Sequence, residues 1–109
     1  MQTKADTLIL FGATGDLAQR MLLPSLCALA ADGLLANDLR IVGTARSVHT
    51  DHTFRNFVRA AVEKYLPAHR RGGMADFLNR FSYSQLDVTT PEGYADLAAK
   101  VGPDRQVAI

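Results

Sequence analysis

Gly12, Gly15 and Ala18 stand at G-x-x-G-x-x-A spacing in the run LILFGATGDLAQR, directly after four apolar residues. A chain leaving a buried strand for the helix that covers it must turn sharply. Gly12 permits a backbone conformation there that a side chain would forbid. Gly15 has no Cβ, so a ligand can approach its backbone closely. Ala18 is small enough for the helix to lie against the strand. Such spacing between strand and helix is a variant of the dinucleotide-binding fingerprint. The first turn of the helix offers unpaired N–H groups and a partial positive charge, which suit a pyrophosphate. Thr14 adds a hydroxyl, and Asp16 is expected to cap the helix through the backbone rather than meet the phosphate.

The next strand bears on which nucleotide is held. NAD sites usually place Asp or Glu at its end, for the ribose hydroxyls. No acid occurs between Asp38 and Asp51; the sequence reads GTARS instead, with Arg46 and Ser47. An arginine fork matches the 2′-phosphate of NADP. Thr14 and Ser47 are expected to supply hydroxyls beside it.

These residues need a scaffold, and the pattern provides one. Thr7 to Phe11 reads as a short strand buried on both faces. From Asp16 to about Asp32 the pattern is helical, with Leu17, Met21, Leu22, Leu26 and Leu29 on one side. Pro24 predicts a kink, or a second helix starting near it. Gly33 is the expected stop. Leu39 to Thr44 is the second strand, and Thr50 the N-cap of a helix. The apolar side of that helix carries Phe54, Phe57, Val58, Ala61, Val62, Tyr65 and Leu66, and Pro67 ends it. Met74 to Arg80 reads as a short helix and FSYSQLDV as a third strand. Thr90 and Pro91 open a helix whose apolar face is Tyr94, Leu97, Ala98 and Val101; Gly102 and Pro103 close it. RQVAI begins a fourth strand. Strands alternating with helices predict an α/β, Rossmann-like doubly wound parallel sheet.

The 109 residues fit one domain, with 48% hydrophobic and 21% charged residues. Twelve basic against eleven acidic residues leave a formal charge of +1, no basis for nucleic acid or an anionic membrane as partner. A bound anion must be caught by a few well-placed groups. The one cysteine, Cys27, sits among apolar residues and reads as a buried thiol in a reducing compartment. No run approaches the roughly 18 apolar residues of a membrane span, and Met1 to Asp6 is too polar for a signal peptide, so the cytoplasm is expected. The sequence stops at Val107-Ala108-Ile109 as an apolar strand begins. It reads as the N-terminal portion, residues 1–109, of a longer NAD(P)-binding domain with the catalytic domain elsewhere. A half-sheet of this kind is expected to fold marginally or to associate.

GATGDLAQRMLLPSLCALAADGLL followed by IVGTARS closely resembles the opening of the glucose-6-phosphate dehydrogenase family; FSYSQLDVTTPEGYADL does so more loosely. The resemblance implies NADP-linked oxidation of glucose 6-phosphate at C1 to the lactone, the entry to the pentose phosphate pathway, by a homo-oligomer in the full-length enzyme. Carried over by position, Gly12, Thr14, Gly15, Asp16 and Leu17 line the coenzyme phosphates and ribose, and Arg46 takes the 2′-phosphate. The family's catalytic histidine belongs to a later R-I-D-H-Y-L-G-K segment. None of His49, His52 or His69 lies in such a motif, so no catalytic base is assigned. His49 and His52 read as solvated rather than as a metal pair. One departure stands out: the family's usual lysine two residues before an aliphatic pair and proline is Met21 here, which either leaves the task to Arg20 or packs into the core. Two alternatives stay open, a non-catalytic NADP-binding module and a short-chain dehydrogenase or epimerase. The latter wants a Tyr-x-x-x-Lys pair, which neither YSQLD nor YLPAH provides.

Overall fold

A computed structural model describes residues 6–36, 38–87 and 91–102, and the backbone of 107–108. β1 (Thr7–Phe11), β2 (Arg40–Ala45), β3 (Phe81–Gln85) and β4 (Val107–Ala108) form one parallel sheet in the order β3-β2-β1-β4. Of the helices, α1 (Leu23–Ala31), α2 (Asp51–Tyr65) and α3 (Met74–Asn79) cover one face, where Leu23, Cys27, Phe54, Val58, Phe77 and Phe81 are fully or almost fully buried. The other face carries α4 (Pro91–Val101), resting on Ile9, Val42 and Leu86 through Leu97 and Val101. Helices on both faces of a parallel sheet are the doubly wound architecture that the pattern predicts. Thr90 and Pro103, expected at the ends of α4, and Val88, expected in β3, lie outside the described residues.

The strand order places β1 between its successor β2 and the late strand β4. The winding therefore reverses at β1, and in open α/β sheets ligands bind in the crevice at the carboxyl end of the strands where this happens. That end of β1 is the turn beginning at Gly12.

α2 follows its sequence pattern. Thr50 caps it: its hydroxyl accepts from the Thr53 amide at 3.1 Å, and the Thr53 hydroxyl accepts from the Thr50 amide at 2.9 Å. Phe54, Val58, Ala61, Val62 and Leu66 are buried, although Tyr65 is 38% exposed. The helix lies tight on the sheet because Gly43 of β2 has no side chain: a Cβ there would fall against the Phe54 ring and the Ala13 methyl.

The first helix differs from the expected pattern. Its opening, Ala18–Leu22, is π-helical, and the Leu23 amide donates to the Ala18 carbonyl. Pro24, just inside α1, has no N–H to give and its ring would crowd the Arg20 carbonyl. The widened turn ahead of it removes that conflict without a break. The extra residue in the turn also rotates the helix. Ala18, Leu23, Cys27 and Ala28 are buried, while Leu17 and Met21 are each 57% exposed and Leu22 and Leu29 lie at the surface. The apolar side predicted from a regular period is therefore wrong, and Met21 does not pack into the core. α1 ends as expected at Gly33, with the Leu34 amide donating back to the Leu29 carbonyl at 2.9 Å.

Two further expectations are corrected. β1 is not buried on both faces, since Leu8 and Leu10 are half-buried and Phe11 is exposed. On α4, Tyr94 and Ala98 are exposed, and only Leu97 and Val101 of the predicted face are buried.

Candidate functional site

The turn after β1 and the segment after β2 meet at the carboxyl ends of the strands. Gly12 has φ +68°, the left-handed conformation that the turn requires. The Gly15 amide closes the turn on the Gly12 carbonyl at 2.9 Å, and the Ala13 amide reaches across to the Thr44 carbonyl of β2 at 3.1 Å. Ala13 and Ala18 are buried beneath, so their small side chains let the helix approach the strands closely. Gly15, Asp16 and Leu17 are exposed on the outer surface of the turn. A side chain on Gly15 would stand on that outer surface and would also crowd the Gly12 carbonyl at 3.2 Å.

The Thr14 and Ser47 hydroxyls are 3.2 Å apart, joining the two segments. Next to Ser47, Arg46 is exposed, and its guanidinium makes no hydrogen bond or ion pair among the described residues. Its own carbonyl, by contrast, is held: the Gln85 side-chain amide donates to it at 2.9 Å. The structure therefore brings Gly12, Thr14, Gly15, Arg46 and Ser47 together around one surface. A guanidinium with no partner among the described residues, two hydroxyls and a helix N-terminus fit an anionic dinucleotide.

Asp16 does not act as a backbone cap. Its Oδ2 meets the Arg20 Nε at 2.9 Å, a surface ion pair within the first helical turn. Arg20 is thereby committed to Asp16 and stands beside exposed Met21. Leu17 shows its side chain to solvent, next to the glycine turn.

His49 is not simply solvated. It is half-buried, its ring packs edge-on against Tyr83 at 5.3 Å between centroids, and its Nδ1 lies 3.1 Å from the Thr53 hydroxyl. His52 is exposed and pairs loosely with Asn56 at 3.5 Å. Among the described residues no cluster of three or more His, Cys, Asp or Glu could hold a metal. Cys27 is fully buried, and burial pushes its thiol up against the weaker opposing charge of Arg71, which keeps it unreactive. No described helix is long and apolar enough to cross a membrane.

Sequence reasoning passed over Tyr83. Its hydroxyl donates to the Ser47 carbonyl at 2.6 Å and lies 3.1 Å from the Ala45 carbonyl, spanning the backbone on either side of Arg46. A tyrosine in a strand reads as core, and nothing in its sequence neighbourhood points to Arg46.

Residues 9–108 match the family model described as glucose-6-phosphate dehydrogenase, NAD binding domain. The chain is 46% identical over 112 aligned positions to glucose-6-phosphate 1-dehydrogenase of Zymomonas mobilis, covering all of this chain and 23% of that protein. It is 40% identical over 89 positions to the enzyme of the same name from Mycolicibacterium smegmatis, covering 80% of this chain and 18% of that one. Among solved structures, glucose-6-phosphate 1-dehydrogenase from Mycobacterium avium superposes with a TM-score of 0.79 at 29% identity, over 94% of this chain and 22% of that chain. A glucose-6-phosphate dehydrogenase in complex with glucose 6-phosphate superposes with a TM-score of 0.74 at 31% identity, over 89% of this chain and 21% of that chain. The chain thus spans about a fifth of the length of these relatives. The match does not favour the short-chain or free-standing-module alternatives.

Proposed function

The chain belongs to the glucose-6-phosphate dehydrogenase family through its NAD-binding domain, and on that footing we propose that it holds NADP as the coenzyme-binding part of an enzyme oxidising glucose 6-phosphate at C1 to the lactone. In this reading residues 1–109 are the N-terminal portion of a Rossmann domain, the catalytic domain belongs to the rest of a longer cytoplasmic protein, and the full-length enzyme is a homo-oligomer. Bound here, the coenzyme supplies the hydride acceptor.

The chain's own residues bind and orient. The turn at Gly12 and Gly15, with the first helical turn at Asp16 and Leu17, receives the pyrophosphate and the adjoining ribose against backbone N–H groups. Thr14 and Ser47 offer hydroxyls. Arg46 takes the 2′-phosphate. The observation that carries the reading is the exposed Arg46 guanidinium, without a partner among the described residues, beside the Thr14–Ser47 pair, at the end of a strand with no acid for a ribose diol.

The test is calorimetric titration of the chain with NADP⁺ and separately NAD⁺, beside an Arg46→Ala variant. NADP⁺ is expected to bind more tightly, and the variant to lose about 1.5–3 kcal/mol of that affinity, the usual worth of a hydrogen bond to a charged group. Equal binding of the two coenzymes, unchanged in the variant, overturns the 2′-phosphate assignment.

A further inference from the structure

Among the described residues the Arg46 guanidinium has no partner, but the backbone that carries it does. Three consecutive carbonyls are held from β3 and the residue that follows it. The Ala45 carbonyl accepts from the Leu86 amide at 2.9 Å. The Arg46 carbonyl accepts from the Gln85 side chain at 2.9 Å, and the Ser47 carbonyl from the Tyr83 hydroxyl at 2.6 Å. This segment has left β2, so no ladder of the sheet fixes it beyond Ala45. The contacts come from the neighbouring strand, through side chains two residues apart on the same side of it: Tyr83 is buried and Gln85, nearer the strand end, is exposed.

Tyr83 is itself immobilised. Its ring packs on Phe54 with centroids 4.9 Å apart and edge-on against His49. Burial pushes the phenol up, so the hydroxyl stays protonated and remains a donor. One proton serves two carbonyls, and the shorter contact is to Ser47.

We propose that Tyr83 and Gln85 are positioning residues for coenzyme selection: from β3 they hold the Arg46–Ser47 backbone so that the guanidinium and the Ser47 hydroxyl face the 2′-phosphate together. This rests on the assignment of Arg46 to that phosphate. The physical basis is pre-organisation. A fork held in place loses less conformational freedom when it engages a phosphate, and the gain applies only to the coenzyme carrying that phosphate. Tyr83 and Gln85 therefore set the preference between NADP⁺ and NAD⁺ without touching either.

The experiment measures the dissociation constants of NADP⁺ and NAD⁺ by calorimetry for the full chain and for Tyr83→Phe, Gln85→Ala, Arg46→Ala and the Tyr83→Phe/Arg46→Ala pair, each with its thermal midpoint. Tyr83→Phe keeps the ring and removes only the hydroxyl; Gln85→Ala changes an exposed side chain and carries the test if the first variant fails to fold. Each is expected to reduce the NADP⁺ preference by about two- to tenfold, the effect of one hydrogen bond, with NAD⁺ affinity unchanged. In the Arg46→Ala background Tyr83→Phe should cost less NADP⁺ affinity than in the parent, because only the Ser47 hydroxyl is left to position. If Arg46→Ala abolishes the preference but the β3 variants leave it intact, or weaken both coenzymes alike, the positioning role is wrong and the Arg46 assignment stands. If Arg46→Ala itself leaves the preference unchanged, both fall.

Discussion

At the scale of single residues, the spacing of small groups governs how closely the elements lie. Gly43 is a glycine because the Phe54 ring occupies the space of its side chain. Phe54 is fully buried and flanked by Phe81 and Tyr83, so it has nowhere to retreat. Gly43→Ala should destabilise the chain by about 1–3 kcal/mol, the usual range for overpacking a core. Urea denaturation would register this as a lower midpoint with an unchanged slope; an unchanged midpoint would mean that α2 does not sit where the structure puts it. Much at this scale was legible beforehand. Gly12 adopts the left-handed turn that its position implies, Ala18 is buried, and the Thr14 and Ser47 hydroxyls lie side by side. The Tyr83 hydroxyl was not legible, because its partners are 36 and 38 residues away and only the pairing of β2 with β3 brings them near.

Among the elements, those whose signals are local matched their patterns best. The Thr50 cap and the Phe54, Val58, Ala61 and Val62 stripe of α2 needed only neighbouring residues. The face of α1 failed because one π-helical turn before Pro24 shifted its phase, and a regular 3.6-residue period cannot register such a shift. The treatment of β3 was equally hidden. β3 ends the sheet, yet its Tyr83 amide donates to Asp51 Oδ1 at 2.8 Å and its Phe81 carbonyl accepts from Arg55 Nε at 2.9 Å. Both side chains come from α2, and Lys100 of α4 joins Asp51 at 3.0 Å. Partial burial works to raise the Asp51 carboxyl, but the Lys100 and Tyr83 hydrogen bonds and the Lys100 and Arg55 charges outweigh it and hold the group below its ordinary range. A carboxyl lower in the folded than in the unfolded chain stabilises above its unfolded value, about 3.9, and loses that contribution as pH falls through the folded one. Thermal melts of Asp51→Asn should therefore show a lower midpoint than the parent at neutral pH and a gap that narrows as pH falls below the unfolded value of about 3.9. A gap of constant size would indicate a packing effect rather than a charge effect.

Across the whole molecule, the two faces of the sheet are unequal. α2 shares a large cluster with α1, α3 and three strands, whereas α4 rests on Ile9, Val42 and Leu86. Local opening requires less where fewer apolar contacts are lost. Hydrogen exchange should show α4 amides exchanging well before those of α2, and comparable protection would mean that the smaller cluster is not the weak layer. Among the described residues β1 is also incompletely covered: Leu8, Leu10, Phe11, Leu22 and Leu26 line an apolar groove of about 420 Å³. The doubly wound plan was readable from the alternation of elements, but this uneven coverage was not, since a run of four apolar residues looks the same whether one face is covered or two. The Asp51 and Arg55 contacts also guard that margin of the sheet: a strand from another copy pairing along β3 would first have to displace two charged side chains, from the Tyr83 amide and from the Phe81 carbonyl.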